Sequence, residues 1–264
     1  MESFGVAVKE RVIYYSDEQN DDFAGNNIQR RPLGKGFKYI HTNIFFKMFE
    51  YGLYYALAIP LVYLMQKIWS HQKFSNRRAF KKAKKTGYFI YSNHTQTIND
   101  AYIGPLATFP KKCFIIVNPD ATSIRGVRTV VQALGAIPLP SSISEARKML
   151  ECIDKRIEKK KAIMIYPEAH IWPYYTKIRN FPYTSFEYAS ALGTPIFVMT
   201  NCYKKRRLSK KPRIITYVDG PFYPNENLSK REAAKELRNI AYEAMSSRAE
   251  KHSTYEYVKY VKKN

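Results

Sequence analysis

The chain has 264 residues, 45% of them hydrophobic, so it is long enough for one large α/β domain and too apolar to stay disordered. It carries 44 Lys and Arg against 22 Asp and Glu, a formal net charge of +22. Such an excess attracts polyanions: nucleic acid, anionic lipid headgroups or phosphorylated substrates. The three cysteines form no CxxC pair, which argues against a disulfide framework and favours a reducing, cytosolic compartment. The chain does not start with a basic stretch and an apolar run, so no signal peptide is expected.

The sequence divides into three parts by composition. Residues 1–35 are polar, with a short strand expected near Val6–Tyr15 and an acidic loop at Asp17–Asp22. No function follows from this part. Residues 36–86 are predicted to be an apolar and basic helical segment that contacts a membrane, and residues 87–264 an α/β domain.

The membrane prediction rests on residues 44–69, which are apolar and carry no charge between Glu50 and Lys67. A spanning helix needs about 20 apolar residues, and Pro60 is expected to kink or end the helix. The stretch Lys67–Lys85 adds eight basic residues and no acidic one. This pattern predicts one or two helices lying in one leaflet of an anionic membrane. A buried core helix would explain the apolarity but not the basic run, and a true span stays open if the flanking lysines extend to its ends.

From Gly87 onwards, short apolar runs alternate with helical patterns. Two helices are expected, one over Ser144–Lys161 with Ser144 as its cap and one from Ser229 to about Lys251. The predicted strands are Tyr88–Tyr91, Cys113–Val117, Ala162–Tyr166, Pro195–Thr200 and Arg213–Val218. Alternation of this kind predicts a largely parallel sheet flanked by helices.

Two groups of polar residues follow predicted strands, where ligands bind in open α/β sheets. Asn93 and His94 end the first strand, and Asp100 comes six residues after His94. A histidine oriented by a carboxylate makes a general base, although spacing alone does not single out this pair. The second group is Tyr166-Pro167-Glu168. Glu168 is expected to orient an acceptor hydroxyl, or else to cap the next helix or pair with a local lysine.

The order of these blocks, together with Leu134–Pro140 and the Gly-Thr-Pro-Ile-Phe block that begins at Gly193, resembles a known family. Between about Tyr88 and Thr200 the chain is similar to the lysophosphatidic-acid (PlsC-type, 1-acyl-glycerol-3-phosphate) acyltransferases. The resemblance implies a glycerolipid acyltransferase-like fold. It implies acyl transfer from acyl-CoA or acyl-carrier protein to a hydroxyl of a lysophospholipid, a glycerol phosphate or a related envelope lipid. His94 is then the general base. No cofactor or metal is expected, since the sequence has no HExxH motif and no paired Cys/His cluster.

The chain departs from the family pattern at its first block. In the family, the Asn-His pair is followed by four residues and then an Asp; here Asn99 fills the position of that Asp and Asp100 follows. Either one could therefore partner His94, and Asp100 is the predicted catalytic partner because it carries the charge.

The chain also departs from the family at both phosphate-binding arginines. No Arg follows Leu134–Pro140, so Arg125 or Arg128 is expected to substitute. After Tyr166-Pro167-Glu168, which matches the third sequence block of the family, Ala169, His170 and Ile171 replace the family's Gly-Thr-Arg. The predicted acceptor-binding residues are Glu168, Arg125, Arg128 and Arg179.

Two other classes of protein fit part of the sequence. One is a catalytically inactive lipid-binding protein on the same scaffold, which the altered third block keeps open. The other is a basic nucleic-acid-binding protein, but residues 44–69 are unnecessary for that role and no RNP or zinc-finger motif occurs. A serine hydrolase is disfavoured because the sequence lacks G-x-S-x-G. The expected partners are an anionic membrane surface on its cytoplasmic face, an acyl thioester and a lipid acceptor, with no nucleic acid. The oligomeric state stays open.

Overall fold

Nine strands and seven α-helices are assigned in the computed structural model, which describes residues 12–25, 33, 37–119, 127–207 and 209–263. The strands are β1 Val12–Tyr15, β2 Lys73–Ser75, β3 Tyr88–Ser92, β4 Cys113–Val117, β5 Ala136–Pro138, β6 Ala162–Ile165, β7 Ile196–Lys204, β8 Arg213–Phe222 and β9 Lys259–Lys262. The helices are α1 Ile44–Tyr51, α2 Ile59–Met65, α3 Ile103–Thr108, α4 Arg128–Ala133, α5 Ile143–Glu158, α6 Glu187–Ala191 and α7 Lys230–His252.

The main sheet has seven strands in the order β2-β8-β7-β3-β6-β4-β5. Strands β3 to β7 run parallel, β8 is antiparallel to β7, and β2 is parallel to β8. The predicted largely parallel sheet flanked by helices is confirmed, and all five predicted strands are present. Strands β7 and β8 are longer than predicted because they pair with each other as a hairpin. Strands β2 and β5 of this sheet were not predicted, since three residues are too few to show a period of two.

Helices cover both faces of the sheet, which explains why its central strands are buried throughout. One face packs against α5, α6 and α7. Helix α7 contributes small and apolar residues four positions apart, namely Ala233, Leu237, Ala241, Met245 and Ala249. The opposite face packs against α3 and the 3₁₀ turns of Arg77–Ala83, whose Phe80 stacks on Tyr88.

The caps of the two long helices follow from their sequences. Helix α7 begins after Ser229, whose side chain and Glu232 form the reciprocal capping box. Helix α5 is capped by Ser142, which accepts a hydrogen bond from the Glu145 amide, so the predicted cap at Ser144 is wrong. It also ends earlier than predicted, at Glu158, because Lys160 adopts a left-handed conformation that an α-helix does not continue.

The apolar segment forms one continuous helix, called here the apolar helix, from Ile44 to Ile68. The helix does not end at Pro60, so that part of the prediction is wrong. Residues Gly52–Ala58 form π-helical turns, in which the Ile59 amide bonds to the Tyr54 carbonyl five residues back. This wider winding accommodates a proline that has no N–H to donate. By length and composition alone, the apolar helix is long enough to cross a membrane.

The apolar helix rests on the sheet domain through its inner side. The Lys112 ammonium pairs with Glu50 at 2.7 Å, and the Cys113 amide donates to the Tyr54 hydroxyl at 3.1 Å. Its outer side is exposed, including Ile44, Phe45, Met48, Tyr51, Leu57, Leu61, Tyr63, Leu64 and Ile68. A buried core helix is therefore excluded, and this contiguous apolar surface suggests membrane association.

The two chain ends meet in a small parallel sheet of β1 and β9. Strand β1 is part of the strand predicted near Val6–Tyr15; residues 1–11 lie outside the described residues. Tyr15 and Tyr260 from this sheet pack on Trp172, which follows β6. The predicted three-part division of the chain stays a prediction, although β2, which precedes its boundary at residue 87, already belongs to the main sheet.

Candidate active site

The segment that carries His94 begins where β3 ends and is fixed to the neighbouring strand β7. The Asn93 side chain donates to the Asn201 carbonyl at 3.1 Å and accepts from the Asn201 amide at 2.8 Å. Asn93 and Asn201 are each 1% exposed. The Asn93 side chain thus makes the two hydrogen bonds to the β7 backbone that a neighbouring strand would otherwise make. The main chain therefore leaves the sheet at Asn93, and the position of His94 is fixed.

His94 and Asp100 form a hydrogen-bonded pair with 2.8 Å between Nδ1 and Oδ2. Asp100 is buried and also accepts from the Gln96 amide at 2.9 Å and from the Asn201 side chain at 3.4 Å. Burial raises the pKa of the Asp100 carboxyl, and its hydrogen bonds with His94 and the Gln96 amide oppose that increase. In a neutral imidazole whose Nδ1 donates to a carboxylate, Nε2 carries the free lone pair. This is the geometry of a general base.

The structure decides between the two residues that could partner His94. Asn99 donates to the Gln96 side chain at 2.7 Å, whereas Asp100 contacts the His94 ring. A 3₁₀ turn over Asn99–Ala101 directs the two neighbouring side chains to different partners.

Tyr166 forms the floor beneath the His94 ring. The two rings are stacked with centroids 4.2 Å apart and planes 18° apart, and the Tyr166 hydroxyl donates to the Asp100 carbonyl at 2.6 Å. Burial raises the pKa of that hydroxyl far above its ordinary value, so it stays a donor. The contact of Tyr166 with His94 was not predicted, because nothing in the local pattern shows that β6 lies beside β3.

Glu168 and Arg179 form a buried ion pair. Glu168 Oε2 accepts from the His94 amide at 3.0 Å and from the Arg179 guanidinium at 3.3 Å, and Oε1 accepts from the Arg179 amide at 2.9 Å. Burial raises the pKa of Glu168, and the positive charge of Arg179 opposes that increase. Both side chains are buried. Direct contact with an acceptor does not fit this burial, so the alternative of pairing with a nearby cation describes Glu168 better, with Arg179 in place of a lysine.

The loop after Glu168 is covered by the acidic N-terminal loop. Ala169 has φ of 62° at a position where the family pattern has Gly. The Ile171 amide donates to Asp22 Oδ1 at 3.1 Å, and the Trp172 indole donates to the Asp21 carbonyl at 2.8 Å. Residue 171 is where the family has its phosphate-binding Arg, so an apolar side chain and a nearby carboxylate occupy this place.

The other two predicted acceptor-binding residues lie elsewhere. Arg125 lies outside the described residues. Arg128 begins α4, with its guanidinium 5.6 Å from the Phe37 ring centroid, and α4 packs against α1. Acceptor binding by Arg128 therefore stays a prediction, at a place near the start of the apolar helix.

A cleft of about 620 Å³ lies beside the Glu168 loop, but neither His94 nor Asp100 lines it. Lys235 and Arg238 of α7 form one wall. The Arg238 guanidinium is already bound to the Phe181 carbonyl. No role in the chemistry of His94 follows from this cleft. Across the described part of the chain, no group of three or more His, Cys, Asp or Glu side chains could hold a metal ion.

Comparison with known proteins agrees with this site. Residues 71–201 match the family model described as Acyltransferase, a range that contains both His94 and Glu168. The fold is similar to the crystal structure of the 1-acyl-sn-glycerophosphate (LPA) acyltransferase PlsC from Thermotoga maritima. The TM-score is 0.51 and the identity 13%, over 77% of this chain and 89% of that chain. No curated protein sequence gives a significant match.

The matched range and the sheet topology thus define a protein of the acyltransferase class. Residues 71–201 form an acyltransferase domain by this match, and the fold is similar to that of PlsC. The predicted family resemblance is confirmed.

Proposed function

We propose that this protein transfers a fatty acyl chain from an acyl thioester to a hydroxyl of a lipid acceptor, with His94 as general base. The observation that carries the proposal is the 2.8 Å contact between His94 Nδ1 and Asp100. Asp100 is buried, whereas His94 remains partly exposed. The Asp100 carboxylate orients the His94 ring through Nδ1, and the ring is partly exposed. A histidine held in this way can accept the proton of an attacking hydroxyl.

The reaction follows from this geometry. His94 Nε2 removes the proton of the acceptor hydroxyl while its oxygen attacks the thioester carbonyl. Asp100 stabilises the resulting imidazolium, and backbone N–H groups near the turn after His94 stabilise the tetrahedral oxyanion. Collapse of the intermediate breaks the carbon–sulfur bond. The thiolate leaves with the proton from Nε2, which restores the neutral ring and releases an ester and a thiol.

Glu168 supports this reaction without touching the substrate. Its carboxylate joins the His94 amide to the backbone and side chain of Arg179. It therefore fixes the main chain at His94, whereas Asp100 holds the imidazole ring. The proposed role of the Pro167-Glu168 block is to position the base.

A membrane location on the cytoplasmic side is part of the same proposal. The apolar helix contacts the domain in its first half, through Glu50 and Tyr54, and is buried at Gln66 near its end. A helix seated along a domain in this way favours an in-plane position in one leaflet over a span, since its exposed side alone would enter the lipid.

A basic hairpin supports the same orientation. Residues 204–213 hold seven basic residues and no acidic one. The register pairs Ser92 of β3 with Met199 of β7 and Lys73 of β2 with Ile215 of β8. The hairpin tip, the end of the apolar helix and the His94 segment therefore share one edge of the sheet. This edge would face anionic lipid and an anionic donor, either acyl-CoA or acyl-carrier protein.

The acceptor is proposed to be a lysophospholipid, a glycerol phosphate or a related envelope lipid. Ile171 and Asp22 at the place of the family Arg disfavour a phosphate there. An acceptor phosphate would instead require other cations, with Arg128 as the described candidate. An acceptor whose headgroup is not a phosphate beside Ile171 fits the site better.

The test measures transfer from radiolabelled acyl-CoA and acyl-carrier protein to a panel of lysophospholipid, glycerol-phosphate and glycolipid acceptors in liposomes. We expect one acceptor class to gain the chain and His94→Ala to reduce the rate at least a hundredfold, as is typical for loss of a general base. His252→Ala, at the end of α7, is the matched control and should transfer at the wild-type rate. Lipid binding without transfer to any acceptor would favour the inactive lipid-binding alternative. Transfer by His94→Ala at the wild-type rate would refute the role of the base.

The membrane location is tested by flotation with anionic liposomes. A variant with Phe45, Met48, Leu61 and Leu64 replaced by Gln removes exposed apolar side chains and leaves Tyr54 in place. We expect it to stay in the soluble fraction. A control variant replaces the exposed Ile143 and Leu150 of α5 and should float like wild type. Undiminished flotation of the first variant would contradict the proposal.

A further inference from the structure

A chain of buried polar side chains connects the end of the apolar helix to Asp100. Gln72 Nε2 donates to the Thr216 hydroxyl at 2.6 Å, and that hydroxyl donates to Asn201 Oδ1 at 2.7 Å. Asn201 Nδ2 then donates to Asp100 Oδ1 at 3.4 Å. His94 binds the other carboxylate oxygen of Asp100. The path runs from Gln72, the residue before β2, through Thr216 of β8 and Asn201 of β7 to the site.

The donors and acceptors in this chain leave little freedom of orientation. A carboxylate only accepts, so Asn201 must present its NH₂ group to Asp100 and its oxygen to Thr216. Thr216 then donates to Asn201 and accepts from Gln72. Turning the Gln72 amide round would place its oxygen 3.3 Å from the Asn201 oxygen. The chain is therefore polarised towards Asp100, and hydrogen bonds in series strengthen one another in a buried setting.

The burial of these residues shows that the orientation is enforced. Thr216 is fully buried, Asn201 is 1% exposed and Gln72 is 8% exposed. Gln72 Oε1 is buried without a hydrogen-bond partner among the described residues. An unpaired buried oxygen costs stability. Gln72 thus donates hydrogen bonds from its NH₂ group to Thr216 and Asn201, while its own oxygen accepts none among the described residues.

The position of Gln72 depends on how the apolar helix ends. His71 adopts a left-handed conformation with φ of 46°, and its amide bonds to the Gln66 carbonyl at 2.8 Å. This turn stops the helix, directs Gln72 into the protein and lets β2 start at Lys73. A helix seated differently would displace Gln72 first.

We infer that Asn201 is a positioning residue for the His94–Asp100 pair and that Thr216 and Gln72 connect its orientation to the seating of the apolar helix. Asn201 fixes the pair at two points. Its amide and carbonyl hold Asn93, next to His94, and its side chain holds Asp100. The inference rests on the proposed acyl transfer for its catalytic consequence, but not for the geometry itself.

The test compares variants that remove or keep a hydrogen-bonding group while the side chain stays close to its original size. Thr216→Val removes the central hydroxyl, Thr216→Ser keeps it, and Gln72→Met removes the terminal amide. Thr200→Val is the matched control. It makes the same change on the strand that carries Asn201, and the Thr200 hydroxyl is buried without a hydrogen-bond partner among the described residues.

Two measurements are made on the full-length protein in liposomes or mixed micelles. The first is kcat and KM for acyl transfer. We expect Thr216→Val to lower kcat roughly tenfold, the effect of one buried hydrogen bond, with KM changed less than about twofold because the acceptor contacts are intact. Thr216→Ser should restore most of the rate and Thr200→Val should match wild type. Gln72→Met should lower kcat about threefold and have no effect in the Thr216→Val background, as expected for members of one network.

The second measurement does not depend on transfer. The Nδ1 proton of His94 should give a low-field NMR resonance in protein labelled with ¹⁵N-histidine, assigned by its loss in His94→Gln. We expect Thr216→Val to move this resonance upfield and Thr200→Val to leave it unchanged. If the His94 resonance moves in Thr216→Val but the wild-type protein transfers no acyl chain, the proposed function is refuted and the positioning role is supported. Unchanged kcat and an unchanged resonance in Thr216→Val would overturn the inference.

Discussion

Replacing Asp100 with Asn is the sharpest test of the proposed base, because it keeps the shape of the side chain, removes its charge and leaves one of its two acceptor oxygens. The His94 imidazolium forms 2.8 Å from the Asp100 oxygen. Two unit charges about 4 Å apart attract by about 4 kcal/mol at an effective dielectric constant of about 20. Loss of that stabilisation corresponds to roughly a thousandfold decrease in kcat. Asp100→Asn should therefore nearly abolish transfer while the protein stays folded.

The assay compares initial rates of acyl transfer in liposomes, with circular dichroism as a check that the variant is folded. Asn99→Ala is the matched control, since the described hydrogen bond of the Asn99 side chain goes to Gln96 and not to His94. It should keep at least about half of the wild-type rate, as expected for a side chain outside the charged pair. Equal losses in Asp100→Asn and Asn99→Ala, or more than a tenth of the activity left in Asp100→Asn, would refute the assignment.

Three further predictions concern stability, each measured by denaturant unfolding in detergent. Glu168→Gln should destabilise the protein by about 3–5 kcal/mol, because it leaves the buried Arg179 charge unpaired. Adding Arg179→Met should recover part of that loss. A double variant less stable than Glu168→Gln alone would contradict this. Burial lowers the pKa of Lys112 to about 8. The unfolded chain, with a Lys pKa of about 10.4, then binds more protons above pH 8. The free energy of unfolding of the protein should therefore rise by about 2 kcal/mol between pH 8 and 9.5. A Lys112→Met variant whose free energy of unfolding rises equally over this pH range would disprove this. Ala169→Gly should stabilise the protein by about 1 kcal/mol by relieving the left-handed conformation, and no gain would show that the strain is absent.

Much of the fold followed from local patterns in the sequence. The central strands were predicted because parallel strands buried on both faces read as short, continuous apolar runs bounded by polar residues. Helix α7 was predicted within a residue at each end because its capping box and four-residue spacing are local. Strand β2 and the continuation of the apolar helix past Pro60 were not predicted. Pairing with β8 stabilises β2, and a change of winding accommodates the proline. Neither effect can be predicted from the neighbouring residues in the sequence.

The candidate site divides in the same way. The sequence by itself determined that His94 and Glu168 follow strands of one parallel sheet, so both had to lie at its carboxyl edge. Only the tertiary structure decided that Asp100, and not Asn99, contacts His94, and that Glu168 turns inward to Arg179. The physical reason is that a spacing along the chain fixes which residues are near one another, whereas hydrogen-bond partners depend on side-chain direction and on strands far apart in sequence. The link from Gln72 to Asp100 is of this second kind.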